Sequence, residues 1–338
     1  MSNYTLADFT VAPHITSNEL LAYATSHVNL PADTARKYRE HVGSVRKRLK
    51  KFIDEHPDYN LVKMLHSGSL PKGTALRDIG DLDTAIYVEA AALQDLDNQG
   101  LISWLRDRLK EVYPDFTDDQ LEAHEHCVTI HYKTPGLKDV DVVPVLYEGD
   151  PDNIGYLVTK DGRRILTSIS LHKEFVRNRK ARQPDNYAQF VRFAKYWAKQ
   201  QKKAYKARGD NPHFRFKSLM IELICAHLTD LGLDTTDHVE ALQHFFAYIV
   251  RTGLQEPIFF TDYYGAGSVN LIDGAVMQIF DPVNAQNNIA VTYTEEQRKL
   301  IVEEAQRALD AITTATSATT KGEAVTNWQV VFGTTFRG

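Results

Sequence analysis

Two acidic residues near position 80 have the spacing that metal-dependent phosphoryl transfer requires. Asp81 and Asp83 stand at the start of an apolar, β-branched run that predicts a strand. Because side chains alternate between the faces of a strand, both carboxylates point the same way, about 6 to 7 Å apart. Such a pair repels itself unless a cation lies between, and Mg²⁺ takes one or two carboxylates while keeping positions for water and phosphate. The pair therefore predicts a magnesium site.

A glycine–serine turn lies shortly before this acidic pair. Gly68 and Ser69 follow an apolar, strand-like run at 61–65 and open a short helix. Backbone N–H groups at such a helix start bind phosphate, which predicts that this turn holds the β- and γ-phosphates of a nucleotide. An isolated Asp-x-Asp is usually a solvated strand edge or loop. Joined to a phosphate-binding turn, it predicts a catalytic unit.

A third carboxylate is expected on a neighbouring strand, because two-metal phosphoryl transfer needs a ligand that faces the first pair. A β-branched run at 138–146 carries Asp139 and Asp141. Residues 124–133 are predicted to form the strand before it, followed by a Thr-Pro-Gly turn. Both aspartates lie on one face of the predicted strand, so either could complete the site.

These residues resemble the nucleotidyltransferases of the polymerase-β superfamily, whose pattern is Gly-Ser, then Asp-x-Asp, then one aspartate on a later strand. Within that superfamily the chain is similar to the bacterial cGAS/DncV-like nucleotidyltransferases (CD-NTases), above all to their clade C members, termed CdnC. The family's third acid falls in Val-Asp-Val-Val-Pro, which assigns that role to Asp141, with Asp139 as the alternative. The likeness covers nearly the whole chain.

The resemblance implies an α/β (α+β) fold of two lobes, with the active site in the cleft between them. Residues 1–166 are expected to form the nucleotidyltransferase core, a mixed β-sheet with a long N-terminal spine helix. Residues 167–338 are expected to form a helical, OAS-like domain. The chain length agrees with two lobes, because 338 residues exceed the usual size of a single hydrophobic core. Strand and helix patterns also alternate to about position 166, and helical periodicity follows.

Two polar residues of the helical half complete the predicted nucleotide site. In the family, a lysine on one helix and a serine at the start of the next contact the donor triphosphate, and these match Lys195 and Ser218. Lys195 lies in an apolar run, a poor place for an idle charge, although its ammonium could instead snorkel to solvent, as could that of Lys217. Many relatives carry a base-stacking aromatic residue after that serine, where this chain has Leu219.

Two further features of the helical half predict structural roles. Glu222 lies in an apolar helix, and buried carboxylates are rare unless they are paired, so a lysine or arginine partner is expected. The polar block 281–288 predicts a loop that braces the lobes through Asx-type hydrogen bonds.

Composition predicts a cytoplasmic enzyme with no membrane contact. The net charge of −5 provides no global basic field for nucleic acid or membrane. The first residues lack a signal-peptide pattern, no apolar run is long enough to span a bilayer, and two cysteines are too few for a disulfide framework or a Cys-rich zinc site. The second half is locally basic, which suits solubility and charge steering or, equally, a surface for a protein partner or duplex DNA. The residues concerned are Arg177, Arg179, Lys180, Arg182, Lys199, Lys202, Lys203, Lys206 and Arg208.

The expected function is transfer of a nucleotide from ATP or another NTP to a ribose hydroxyl. Two Mg²⁺ ions, for which Mn²⁺ could substitute, would be held by Asp81, Asp83 and Asp141. The residues themselves support this single transfer. The resemblance implies the rest: a cyclic oligonucleotide second messenger such as cyclic tri-AMP, made in CBASS anti-phage signalling, which switches on a downstream effector. It also implies control by a HORMA-domain protein and a AAA+ remodelling ATPase.

Other functions fit the same motifs. A nucleotidyltransferase could instead modify RNA or a small molecule, although no lobe rich in basic and aromatic residues is evident for RNA, and the match at Lys195 and Ser218 argues against a drug-modifying enzyme. The chain could also be a catalytically silent nucleotide sensor. Three intact acids count against a sensor, because idle carboxylates in a cleft only destabilise it through mutual repulsion.

Overall fold

A mixed β-sheet forms the first lobe in the computed structural model, which describes residues 13–56, 61–93, 96–159, 162–210 and 213–338. The strands are β1 (Leu61–His66), β2 (Leu82–Glu89), β3 (Leu121–Ala123), β4 (Val128–Ile130), β5 (Val140–Tyr147), β6 (Gly155–Val158) and β7 (Arg164–Thr167). Neighbours follow the order β1-β2-β5-β4-β3, while β6 joins β5 and pairs with β7. β2 and β5 run parallel, and the other pairs are antiparallel.

Helices precede the sheet, connect its strands and then build the second lobe. They are α1 (Ser17–His27), α2 (Ala32–Glu55), α3 (Ser69–Lys72), α4 (Ala90–Leu93), α5 (Asn98–Val112), α6 (Ile169–Arg182), α7 (Asn186–Arg208), α8 (Ser218–Asp230), α9 (His238–Thr252), α10 (Glu295–Thr316) and α11 (Lys321–Phe332). Within the part of the chain that the structure describes, none of them is long and apolar enough to cross a membrane.

The long helix α2 is the predicted spine. Val42, Val45 and Leu49 recur at three- and four-residue spacing on its buried stripe, and they pack into the same hydrophobic cluster as β2 and β5. Arg48 Nε donates to the Val112 carbonyl at 2.9 Å and ties α2 to the end of α5. The spine helix is therefore confirmed.

Residues 124–133, predicted as one strand, form part of a hairpin instead. β3 ends at Ala123 and β4 begins at Val128, and the backbone N–H of His124 donates to the Cys127 carbonyl at 2.8 Å across the turn between them. The prediction was right that a strand precedes β5 and wrong about its extent. Of these residues only Val128–Ile130 form a strand, because the chain must reverse at 124–127 to pair β3 with β4.

A second hydrophobic core lies among α6 to α11 and includes both Trp197 and Trp328. The N-terminal helix α1 belongs to this core as well, through Leu20, Tyr23 and Ala24. The division between residues 1–166 and 167–338 stays a prediction. The position of α1 departs from it, since the first helix of the chain packs with the second lobe.

The polar block at 281–288 is a loop that braces the lobes, as predicted. Asp281 Oδ1 accepts a hydrogen bond from the backbone N–H of Val283 at 2.9 Å, in an Asx turn, and lies 2.9 Å from His172 Nε2 on α6. Asn284 Nδ2 donates to the carbonyl of Leu166 on β7 at 3.1 Å. The loop thus connects the end of the sheet to the helical lobe.

Candidate active site

Parallel pairing of β2 with β5 brings the predicted acids together. In this register Asp83 lies opposite Asp141, and Asp81 is the residue just before β2. The carboxyl group of Asp81 is within hydrogen-bonding reach of Asp141. Thr129, opposite Asp141 on β4, donates its hydroxyl hydrogen to Asp141 Oδ1 at 2.6 Å. The three carboxyl groups therefore occupy the same end of two adjacent strands.

The closeness of the acids changes their ionisation. Burial raises the pKa of Asp83 to about 6, and the charges of Asp81 and Asp141 add to the increase. Burial also raises the pKa of Asp141, although the hydrogen bond from Thr129 opposes it. A cation among them would remove both the repulsion and the advantage of binding a proton. Hard carboxylate oxygens are a donor set that fits Mg²⁺.

The three carboxyl groups do not yet form a coordination shell. Across the described residues, no group of three His, Cys, Asp or Glu side chains is arranged so as to hold a metal ion.

Asp139, the alternative third acid, is engaged elsewhere. Its Oδ2 lies 2.8 Å from His131 Nδ1, and its Oδ1 accepts from the backbone N–H of Tyr132 at 3.1 Å. On this strand it is Asp141 that stands beside Asp83.

Gly68 makes a close backbone approach to the acids. Its φ of +73° lies in the left-handed region that favours glycine, and a Cβ at this position would overlap Asp83 Oδ2. Ser67 N–H donates to the Asp83 carbonyl at 3.1 Å, and Ser69 begins α3 immediately afterwards. The glycine–serine turn and the acidic strand therefore form one compact unit.

The cleft between the lobes holds most of the predicted site and has a volume of about 490 Å³. The predicted site residues that line it are Gly68, Ser69, Asp81, Asp83, Lys195 and Ser218. Asp141 is absent from the lining and lies next to Asp83 in the sheet. Residues from the two halves of the sequence thus meet at one cleft.

Lys195 is buried and does not snorkel to solvent. Its side chain is 6% exposed, and its Nζ donates to Glu222 Oε1 at 3.1 Å and to the Thr74 carbonyl at 3.0 Å. Glu222 also accepts from the Thr74 hydroxyl at 2.7 Å and pairs with Lys72 Nζ at 3.0 Å. The lysine partner expected for Glu222 is therefore confirmed, with two lysines in place of one.

The side chains at the start of α8 point in different directions. Ser218 and Leu219 line the cleft together with Phe216. Lys217 turns away from it and donates its Nζ hydrogen to the Ile289 carbonyl at 2.9 Å. An aromatic ring is therefore present in the cleft, at a position that the motif comparison did not single out.

Several cleft lysines escaped sequence reasoning as site residues. Lys199 and Lys202 line the cleft, although the sequence placed them on an outer basic surface. A usable signal was present, because Lys195, Lys199 and Lys202 are spaced four and three residues apart and must share one face of a helix. Lys72 also lines the cleft, next to the phosphate-binding turn.

Part of the predicted basic surface is neutralised inside the protein. Arg179 is 1% exposed and forms ion pairs with Asp230 and Asp262. Arg182 pairs with the same Asp230 at 2.9 Å. Arg179 therefore holds elements of the second lobe together and is not free for a partner, whereas the Arg182 side chain stays 54% exposed.

The chain is similar to known proteins over almost its full length, although no protein-family model matches it. The cyclic AMP-AMP-AMP synthase of Escherichia coli strain MS 115-1 is 44% identical over 327 residues, covering 96% of this chain and 99% of that protein. The CBASS oligonucleotide cyclase CdnC of E. coli strain KTE188 is 27% identical over 328 residues, covering 96% and 98%.

Two solved structures of E. coli MS115-1 CdnC are also similar. One is its complex with HORMA-deltaN, with a TM-score of 0.88, 42% identity and coverage of 96% of this chain and 99% of that one. The other is the protein with ATP, with a TM-score of 0.87, 42% identity and coverage of 96% and 100%.

Proposed function

The chain belongs to the clade C CD-NTases, the CdnC oligonucleotide cyclases, and on that premise we propose that it joins ATP into cyclic AMP-AMP-AMP in CBASS anti-phage signalling. One observation carries the chemistry. Asp83 and Asp141 face each other across two parallel strands, beside the Gly68 turn, at the cleft between the lobes. The predicted α/β fold of two lobes is confirmed.

Donor ATP binds with its triphosphate in the cleft. Gly68 and Ser69 hold the β- and γ-phosphates from the first lobe, where the chain turns into α3. Lys195 and Ser218 contact the triphosphate from the second lobe. The lysine matters most as the reaction proceeds, because the leaving pyrophosphate gains negative charge that a fixed ammonium group stabilises.

Transfer joins the ribose hydroxyl of an acceptor nucleotide to the α-phosphorus of the donor and releases pyrophosphate. Asp81, Asp83 and Asp141 would hold two Mg²⁺ ions, which neutralise the triphosphate and lower the pKa of the attacking hydroxyl. The lobes keep donor and acceptor in line, so that reaction follows from positioning. Repeating the step lengthens the product, and an intramolecular attack closes the ring.

The solved complex of a relative supports a HORMA-domain regulator for this chain. From family membership we also propose a AAA+ remodelling ATPase that acts on that complex and an effector that the cyclic product activates. Duplex DNA would meet the basic side chains that remain exposed, among them Arg177, Lys203 and Lys206. Such binding would weaken steeply as salt is added.

The test is product analysis with purified protein, ATP and Mg²⁺, with and without a HORMA-domain partner. We expect a phosphatase-resistant product with the mass of a cyclic AMP trimer, and none after divalent ions are chelated. Label that appears only on added RNA or on an added small molecule would establish one of the other transferase functions. Absence of any product with the partner present would favour a nucleotide sensor and overturn the proposal.

A further inference from the structure

A buried ion cluster links the two lobes at the wall of the cleft. Lys72 comes from α3, Thr74 from the loop after it, Lys195 from α7 and Glu222 from α8. The side chains of Lys72, Lys195 and Glu222 are 13%, 6% and 6% exposed. All three line the cleft that holds Gly68, Ser69 and Asp83.

The cluster carries more positive than negative charge. Two ammonium groups share one carboxylate, and their combined field outweighs the burial of Glu222, lowering its pKa to about 2. The same two lysines also act on Asp83, because both lower its pKa against the stronger effect of burial. With Glu222 they form a cluster of net charge plus one that lines the cleft.

Each ammonium group has hydrogens to spare for a ligand. Among the described residues, Lys195 Nζ donates to Thr74 O and Glu222, and Lys72 Nζ donates to Glu222. A lysine carries three N–H donors, so both can hold Glu222 and a phosphate oxygen together. Without Glu222, two nearly buried ammonium groups would repel each other and would turn to solvent or lose a proton.

We propose that Glu222 is a positioning residue that holds Lys72 and Lys195 as a pair for the donor triphosphate, with Lys72 as a phosphate-binding residue in its own right. This inference rests on the proposed function, since it concerns the ligand of that site. The cluster contains residues of both lobes. A triphosphate bound to it would therefore contact the phosphate-binding turn and the helical lobe at the same time.

The test compares Glu222→Gln with Glu304→Gln. Glu304 is also a buried carboxylate of the second lobe, 3% exposed, held by the Tyr205 hydroxyl at 2.6 Å and by Arg307 at 3.1 Å, and it does not line the cleft. Both variants lose a buried charge, so both are expected to lower the free energy of unfolding. Only the first should alter phosphate binding.

Binding is measured by calorimetry with inorganic tripolyphosphate and with adenosine, both in Mg²⁺, and KM and kcat are measured with ATP. For Glu222→Gln we expect tripolyphosphate affinity to fall and KM for ATP to rise, each about tenfold, which corresponds to about 1.4 kcal/mol. Adenosine affinity should change little, because adenosine lacks the phosphates. The value of kcat should fall as well, because Lys195 also stabilises the negative charge that develops on the leaving pyrophosphate. Lys72→Met should show the same pattern, and the double variant should lose less than the sum of the two.

Unchanged tripolyphosphate affinity in Glu222→Gln, with stability lowered as in Glu304→Gln, would make the cluster a structural tie and overturn the inference. Tighter binding would overturn it too, because Glu222 would then compete with phosphate for the lysines. If Glu222→Gln fails to fold, the tripolyphosphate affinity of Lys72→Met tests the inference instead, because this variant leaves the Lys195–Glu222 pair in place. Unchanged affinity in Lys72→Met would then overturn it. Failure of the unaltered protein to bind ATP would count against the proposed function itself.

Discussion

At the scale of single residues, three aspartates carry the proposed chemistry, and the aspartates of this region differ in their immediate partners. Asp83 and Asp141 face each other, while Asp139 is held by His131 and the Tyr132 backbone. Motif spacing left Asp139, just before β5, and Asp141, within it, as candidates for the third acid. Their hydrogen bonds distinguish the two candidates. The Asp139 carboxylate is already bound to a histidine and a backbone N–H, so it has little freedom to face the cleft.

Asp141→Asn and Asp139→Asn are a matched pair two residues apart, in β5 and just before it. Loss of the Asp141 charge should lower kcat on the order of 10³-fold, since a metal ligand contributes several kcal/mol to transition-state stabilisation. Asp139→Asn should stay within about twofold, as substitutions away from a site usually do. Rates of pyrophosphate release would report both. Equal inactivation by the two substitutions would contradict the assignment of Asp141.

Gly68→Ala tests the close approach of the turn to Asp83. The new Cβ would overlap the carboxylate, and a left-handed φ of +73° alone costs a non-glycine residue about 1 to 3 kcal/mol. We therefore expect an inactive and less stable protein. Gly209 is the control, because its φ is +74° with nothing within 4 Å of an added Cβ. Gly209→Ala should share the backbone cost, seen as a lower Tm, and keep full product formation.

At the scale of elements, helix faces decide which charges reach the cleft. α7 directs Lys195, Lys199 and Lys202 to one side, and its apolar side enters the core of the second lobe. Neighbouring helices also bury a histidine outside the cleft. His238, at the start of α9, is 1% exposed, and neither ring nitrogen has a hydrogen-bond partner among the described residues.

His238 predicts an acid-sensitive second lobe. Burial lowers its pKa from 6.5 to about 4, with Asp237 opposing the shift and Arg192 adding to it. The folded protein therefore binds this proton less readily than the unfolded chain. Stability from this residue is complete above about pH 6.5 and falls as the pH drops towards 4, by up to about 3 kcal/mol.

Urea denaturation at pH 7.5, 5.5 and 4.5 measures this loss. His238→Phe keeps a ring against Phe193, whose centroid lies 5.4 Å away, and should remove most of the acid sensitivity. His244→Gln, at an exposed position of the same helix, should leave the sensitivity in place. If His238→Phe loses as much stability with acid as the unaltered protein, other groups are responsible.

At the scale of the whole molecule, the first helix, α1, packs against the last residues of the chain in the second lobe. Tyr23 on this first helix hydrogen-bonds the Tyr196 hydroxyl at 2.9 Å and the Thr335 hydroxyl at 2.8 Å, and its ring packs on Phe332 and Phe336. The second lobe is thus completed by residues from both ends of the described chain.

Tyr23→Ala should destabilise the second lobe by about 3 to 5 kcal/mol, the usual cost of removing a buried aromatic side chain. Hydrogen exchange would show lost protection in α9 and α11, with β2 and β5 unaffected. Leu21→Ala, on the exposed side of the same helix at 38% exposure, should change stability by no more than about 0.5 kcal/mol. Uniform loss of protection in both lobes would mean that they unfold as one unit.

Local spacing predicted the motifs, the acids that share a strand face and the spine helix, and it left Lys195 either as a cleft residue or as a side chain that snorkels to solvent. Each of these depends on the period of a strand or helix, which neighbouring residues set. The extent of the strand before β5 was misjudged, because the turn at 124–127 lacks the glycine or proline that usually marks one.

Tertiary structure alone decided which distant residues meet. It placed Asp141 beside Asp83 and Asp139 against His131, gave Glu222 two lysines from different lobes and placed α1 in the second lobe. No local pattern encodes these outcomes, because the free energy of an ion pair or an aromatic contact depends on burial and geometry that exist only once both lobes have packed.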